Sequence, residues 1–273
     1  MPRDTGVAVV TLTTDFGLCD SFVGVMKGVI LSRCPGARIV DVTHLVPAGE
    51  VRAGAFALLT AYRFFPKGTV HVAVVDPGVG SDRRAIAACC SDATFVGPDN
   101  GLLSWALRNE KGVVVRRIEN QRLFLSPVSA TFHGRDVFAP VAAYLANGGG
   151  FAEVGPETDE WIALPWPEPA RSVDGWLGEV VHVDHFGNAI TNLPNTALEP
   201  SCASRFTVLC GRRRVPTGSC YTAVPKGRAV AVPGSSGCIE IAVNGGNAAR
   251  SFGLKRGAKV RLVAPGQPSR CIA

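Results

Sequence analysis

A carboxylate, a guanidinium and an imidazole sit in two loop-like segments, Asp76-Pro-Gly-Val-Gly-Ser-Asp-Arg83 and Thr131-Phe-His133-Gly-Arg-Asp136. Brought together, Asp76, Arg83 and His133 can hold and polarise a water molecule. The carboxylate and imidazole accept hydrogen bonds from it, and the guanidinium orients the carboxylate and attracts developing hydroxide. A third segment, Asp184-His-Phe-Gly-Asn188-Ala-Ile-Thr-Asn192, lies far downstream and has the residue types of a ligand clamp. Together the three point to hydrolysis of a bound small molecule. Each residue also has a plainer use: an Asp after a strand caps or turns, a lone His bonds a turn backbone, and Arg135 with Asp136 forms a local ion pair.

Other chemistries lack their residues. Asp76-Pro-Gly-Val-Gly has neither the G-x-x-x-x-G-K-[ST] nor the G-x-G-x-x-G phosphate pattern. Its glycines are read instead as letting backbone approach a ligand. No G-x-S-x-G nucleophile elbow occurs. His182, Asp184 and His185 lie close enough to be weighed as zinc ligands. On a strand, though, His182 and Asp184 share a face that His185 opposes, so no metal is expected.

The elements that must position these residues follow from periodicity. Val7–Thr13 reads as a buried strand. Asp20 or Ser21 can cap a helix to about Ser32, with Phe22, Val25, Met26, Val29 and Ile30 on one face. Strands follow at 37–42 and 69–75, separated by a helix over 51–64. This strand–helix–strand–helix–strand order predicts a parallel sheet with right-handed crossovers. Asp15 and Asp76 then fall just beyond the C-terminal ends of two strands, the edge where open parallel sheets bind ligands. Further strands are predicted at 85–89, 94–96 and 113–118. A helix from Gly134 to about Gly148 starts at His133, where the positive helix end favours a neutral imidazole. Leu164-Pro-Trp-Pro-Glu-Pro169 is stiff and extended. Beyond it, short strands at 178–184, 206–209, 229–232, 239–243 and 260–263 predict a small barrel or sandwich. The chain is therefore α/β: an N-terminal α/β domain over 1–165 with a mainly parallel sheet, a Pro-rich linker over 166–175, and a C-terminal β-barrel-like domain over 176–273.

The bulk numbers agree with a folded enzyme-sized chain. Of 273 residues, 47% are hydrophobic and only 18% charged, which excludes a disordered chain. The net charge of +6 is scattered, with tight runs such as Arg116-Arg117 and Arg212-Arg213-Arg214. No aromatic residues interleave with them, so no nucleic-acid partner is expected. The nine cysteines have no C-x-x-C spacing and read as reduced packing residues of a cytoplasmic protein. The apolar run 7–12 meets Asp15 too soon for a membrane span, and Met1–Thr5 carries mixed charge.

Several segments in order resemble the S-adenosyl-L-methionine (SAM) hydrolase family, the SAM hydroxide adenosyltransferases, relatives of the SAM-dependent fluorinase and chlorinase. They are Thr13-Thr-Asp15-Phe-Gly, Val46-Pro-Ala-Gly-Glu-Val-Arg-Ala-Gly54, Asp76 to Arg83, Val96-Gly-Pro-Asp-Asn-Gly101, Phe132-His-Gly-Arg-Asp136, Phe186-Gly-Asn188 and Ile241-Ala-Val-Asn-Gly-Gly-Asn247. The resemblance implies cleavage of SAM to adenosine and L-methionine by water or hydroxide at C5′, without a cofactor. It implies a homotrimer with sites between subunits. Asp76, Arg83 and His133 would be the water-handling set. The related halogenases carry Tyr in place of the Asp and lack the His. Asp15 would bind the ribose hydroxyls, and Thr131 and Phe132 would line the ribose and reacting carbon. Asp184 would hold the methionine ammonium, Phe186 and Asn188 the adenine, and the turn from Asn244 further backbone atoms of the ligand. Gly245-Gly246 stands where the fluorinase has Ser-Arg, and Gly49 stands near its stacking aromatic. The methionine carboxylate contact is therefore left unassigned. A non-catalytic SAM or adenosine sensor and a SAM-dependent halogenase are the alternatives.

Overall fold

A computed structural model describes residues 7–198 and 206–264; Met1–Thr5, Cys202 and Cys271 lie outside the described residues. The chain divides into two compact units, Met1–Pro165 and Trp166–Ala273.

The first unit is a six-stranded sheet with helices. Its elements are β1 (Val9–Thr14), α1 (Phe22–Arg33), β2 (Arg38–Thr43), α2 (Val51–Ala61), β3 (Thr69–Val74), β4 (Ala85–Cys89), β5 (Ala93–Pro98), α3 (Ser104–Leu107), β6 (Val114–Arg117) and α4 (Ala139–Ala146). The strand order is β2-β1-β3-β5-β4-β6. The first four strands pair in parallel. β4 pairs antiparallel with both β5 and β6, so the sheet is mixed. The physical reason is the short turn between Cys89 and Ala93, which allows a hairpin but not the crossover a parallel pair needs. Alternation along β1 and β3 sends Val10, Leu12, Val70, Val72 and Val74 into one core with Met26 and Ile30 of α1 and Val141 of α4. The opposite face carries Thr11 and His71, which bond each other at 2.8 Å. Tyr62 and Phe65, just past α2, contact the His71 ring edge-on.

Two helices differ in detail from the periodic reading. In α1 the buried stripe is Val23, Met26 and Ile30; Phe22 and Val25 are exposed. Phe22 turns instead onto Phe16 and Phe132. The helix after His133 opens with a wide π-turn, Gly134–Phe138, before α4 begins with Pro140 in its first turn. Single π-turns of this kind recur at functional sites.

The second unit is an antiparallel sheet of β7 (Ala170–Ser172), β8 (Gly175–Val183), β9 (Ala189–Pro194), β10 (Thr207–Cys210), β11 (Arg213–Pro216), β12 (Ala229–Pro233), β13 (Cys238–Val243) and β14 (Lys259–Val263), with the short helix α5 (Ala248–Phe252). The order β11-β10-β14-β8-β9-β13-β12 nearly closes, because Thr217, just past β11, bridges to Ala231 of β12. Val180, Leu193, Val208, Ile239, Ile241 and Leu262 fill the interior. The periodic reading contains no strand at β7, β9 or β11; β7 lies inside the stretch read as a Pro-rich linker, 166–175, and pairs with β8. β9 carries Asn192, whose amide is used inside the fold: Oδ1 accepts from the Glu179 N–H and Nδ2 donates to the Pro167 carbonyl. β11 opens with Arg213 and Arg214, both exposed, so it lacks the apolar alternation that marks a strand.

Candidate active site

β1 and β3 are parallel neighbours in register, Thr14 opposite Val74. The residues that follow, Asp15 and Asp76, therefore emerge at the same sheet edge, as the strand pattern predicts. Asn100 braces this edge, its amide donating to the Val75 carbonyl at 2.8 Å.

From Asp76 the chain makes a compact turn. Val79 N–H donates to the Asp76 carbonyl, Ser81 Oγ to the Gly78 carbonyl at 2.6 Å, and Arg83 N–H to Ser81 Oγ. Arg83 is thereby folded back over Asp76. Gly80, at φ +78°, makes the turn possible. A Cβ there would lie 2.2 Å from the Ala130 carbonyl oxygen, so glycine lets this loop press against the loop that carries His133. That close approach is to protein backbone, not to ligand as the glycine pattern predicts. The second loop is tied by Asp136, which is buried. Asp136 accepts from the Ser129 N–H at 2.8 Å and from Arg135 Nε at 2.6 Å. Gly134 is packed tightly as well: a Cβ would come within 3.1–3.3 Å of Phe132, Met26 and Phe16.

The two loops bring the expected set together. Arg83 Nη2 lies 2.6 Å from Asp76 Oδ2 and 2.9 Å from His133 Nδ1. The Asp76 and Arg83 side chains are only 5% and 8% exposed. Arg83 is always protonated and can only donate, so His133 Nδ1 must accept. That places the imidazole proton on Nε2 and occupies its acceptor nitrogen. Asp76 Oδ1 is buried without a partner. It is thus the free acceptor of the set, with His133 Nε2–H a donor. Burial raises the Asp76 carboxyl above its ordinary value, against the opposing pull of Arg83. Burial, aided by the Arg83 charge, lowers His133, which keeps it neutral.

A cavity of about 440 Å³ opens at this point, lined by Asp15, Asp76, Thr131, Phe132 and His133 together with Phe16, Phe22 and Gly49. Asp15 is held by the Gly49 N–H, 2.8 Å from its Oδ2. Phe16, Phe22 and Phe132 form a cluster with centroids 5.1–5.9 Å apart, in which Phe132 meets both other rings edge-on and Phe16 and Phe22 are tilted. Helical periodicity places Phe22 on the core face of α1, whereas it stands in the cavity wall. Its position at the first turn of α1, six residues beyond Phe16, was the available signal. A second cavity of about 500 Å³ shares Arg83 and His133 but lacks both strand-end carboxylates.

The remaining predicted residues belong to the second unit. Asp184 closes a tight turn onto Asn188, accepting from its backbone N–H at 2.8 Å and its amide at 2.9 Å. Between them Phe186 is 73% exposed, a large aromatic with little packing of its own. Asn244 bonds the Val224 carbonyl at 2.8 Å, so its amide serves the adjoining turn. Ala189 pairs with Ile241 across β9 and β13, which places Asn188 and Asn244 at the same end of the sheet. Among the described residues no group of three or more His, Cys, Asp or Glu converges as a metal site, His182 and His185 included. No helix there is long and apolar enough to cross a membrane, and no disulfide forms among the seven described cysteines.

The fold and site define an α/β protein with a barrel-like second unit and a buried carboxylate–guanidinium–imidazole set beside a ligand-sized cavity. The chain belongs to the SAM hydroxide adenosyltransferase family: residues 10–155 match its N-terminal domain and 178–261 its C-terminal domain. It is 43% identical over 258 residues to the (R)-S-adenosyl-L-methionine hydrolase of Salinispora tropica, covering 93% of this chain and 97% of that protein. The same identity holds for the (R)-S-adenosyl-L-methionine hydrolase of Thermus thermophilus, covering 92% of this chain and 97% of that one. A fluorinase from an Actinoplanes species is more distant, 30% identical over 226 residues, covering 73% and 76%. The crystal structure of an uncharacterized conserved protein from Thermotoga maritima superposes with a TM-score of 0.86 at 38% identity, covering 93% of this chain and 99% of that chain.

Proposed function

We propose that this protein hydrolyses SAM to adenosine and L-methionine. The observation that carries the reading is the shared Arg83 Nη2 between Asp76 and His133, two residues that line the cavity with Asp15 and Phe132, with Asp76 Oδ1 left as a buried acceptor without a partner. A water held between Asp76 Oδ1 and His133 Nε2–H is aimed at C5′. Its oxygen forms the C5′–O bond as the C5′–S bond breaks, and the bonding pair leaves with sulfur as neutral methionine. The proton passes to Asp76 and then to solvent. Sulfonium and the developing hydroxide carry opposite charges that cancel as the transition state forms, so a buried site with fixed dipoles suits the step better than bulk water. His133 as donor stabilises the oxygen; Asp76 as acceptor takes the proton.

In this reading Asp15 takes the ribose hydroxyls and Thr131 and Phe132 flank the reacting carbon. Asp184 takes the methionine ammonium, Phe186 with Asn188 the adenine, and the turn after Asn244 contributes backbone. A homotrimer with sites shared between subunits and a cytoplasmic location belong to the same reading and are supported by family membership. The (R) sulfonium epimer is the preferred substrate, by analogy with the named relatives.

The test is chromatography of products from purified protein and each SAM epimer in halide-free, chelated buffer, beside His133→Ala. Equal adenosine and methionine from the wild type, with a large loss in the variant, is the expected result. Tight SAM binding without turnover would make the protein a sensor. Turnover only with added halide would make it a halogenase.

A further inference from the structure

Behind the cavity wall a chain of polar contacts runs from the surface to the end of β1. Lys27 Nζ lies 2.6 Å from Asp41 Oδ2. Asp41 Oδ1 lies 3.1 Å from His44 Nε2, bent away from a linear hydrogen bond. His44 Nδ1 lies 2.8 Å from Thr14 Oγ1, and both residues are buried. Thr14 Oγ1 accepts from the Phe16 N–H at 3.2 Å.

Thr14 Oγ1 accepts from the Phe16 N–H and its own proton can go to His44 Nδ1; in that tautomer the His44 Nε2–H lies on the side of Asp41. Backbone bonds reinforce the link: Gly17 N–H donates to the His44 carbonyl at 2.8 Å, and Val46 N–H to the Thr14 carbonyl. A register shift between β1 and β2, where Leu12 faces Asp41 but Thr13 faces Thr43, inserts the extra residue that brings His44 beneath Thr14. Asp15 and Phe16, the two cavity residues on this loop, are therefore fixed on both sides, by Thr14 and by the Gly49 N–H.

We propose that His44 is a positioning residue for substrate recognition: with Asp41 and Lys27 it holds Thr14, and through Thr14 the backbone that presents Asp15 to the ribose. The proposal rests on the SAM reading. The buried His44–Thr14 bond, with the Asp41 charge beside His44 Nε2, restrains the backbone at Phe16 more than apolar packing would, and binding groups need such support from the residues behind them.

The test compares SAM with an analogue lacking both ribose hydroxyls, using wild type, His44→Leu and Thr14→Val, with Thr14→Ser as the conservative control. Expected for the Leu and Val variants is a KM for SAM raised about tenfold with kcat within about twofold, as for loss of one well-placed hydrogen bond to substrate. The preference for SAM over the analogue falls by the same factor, and Thr14→Ser restores it. Variants that keep the full preference overturn the proposal. So does an equal loss of kcat on both substrates, which marks general disruption, and so does a wild type that turns over SAM yet is indifferent to the hydroxyls. If His44→Leu does not fold, Thr14→Val, which keeps the side-chain shape, carries the test. A wild type inactive on SAM rejects the SAM reading itself, separately from the role of His44.

Discussion

Arg83→Met keeps an apolar stem in place and removes the guanidinium. Asp76 then loses the partner of Oδ2, 2.6 Å away, while Oδ1 already has none. A carboxylate only 5% exposed is left stranded. Breaking one side of a buried pair costs about 3–5 kcal/mol, which for a chain of this size lowers the melting midpoint by roughly 10 °C. The effect has a defined pH sign. Burial already raises Asp76, and Arg83 opposes that rise, so the variant's folded carboxyl lies higher still. The cost is full above that value, where the group must be charged. It is relieved as pH falls through that value, because the buried acid becomes neutral. Thermal melts from acidic to mildly alkaline pH, read beside SAM turnover, check this. The double variant Asp76→Asn/Arg83→Met strands no charge and regains most of the stability, yet stays inactive. A stability loss that does not change with pH, or a double variant no more stable than Arg83→Met, would refute the reasoning.

Gly80→Ala places a Cβ 2.2 Å from the Ala130 carbonyl oxygen at φ +78°. It separates the Asp76 and His133 loops, and steady-state kinetics should give a kcat reduced at least about tenfold with little change in KM. The pH profile of kcat/KM should lose activity as pH falls through a value above the ordinary aspartate range, because Asp76 must be ionised to accept the proton and burial raises it. His133, held below its ordinary value, should add no loss near neutrality. Activity should survive exhaustive chelation, since a sulfonium leaves without Lewis-acid help; restoration by one added metal would contradict the mechanism.

The strand-end carboxylates were legible because a parallel sheet puts its ligand edge where strands end, and β1 and β3 read clearly as strands. The C-terminal sheet was legible as strands but not as an order. β9 was hidden because Asn192 and Thr191 look like loop chemistry, while their polar atoms bond inside the barrel at Glu179 N–H and the Ile239 carbonyl. The antiparallel place of β4 depends on which neighbour its backbone meets, a non-local pairing that periodicity does not encode.

Residue identity by itself determined the α/β class, the membership of Asp76, Arg83 and His133 in one candidate set, and the segments that carry the family. Only the tertiary structure decided the protonation logic of that set. Fifty residues separate Arg83 from His133, and it is the fold that places one guanidinium nitrogen between imidazole and carboxylate. An arginine can only donate, so this contact fixes the His133 tautomer and leaves Asp76 as the acceptor. The chain Lys27–Asp41–His44–Thr14 was invisible for the same reason: hydrogen-bond direction depends on distances between elements, and those exist only once the sheet has formed.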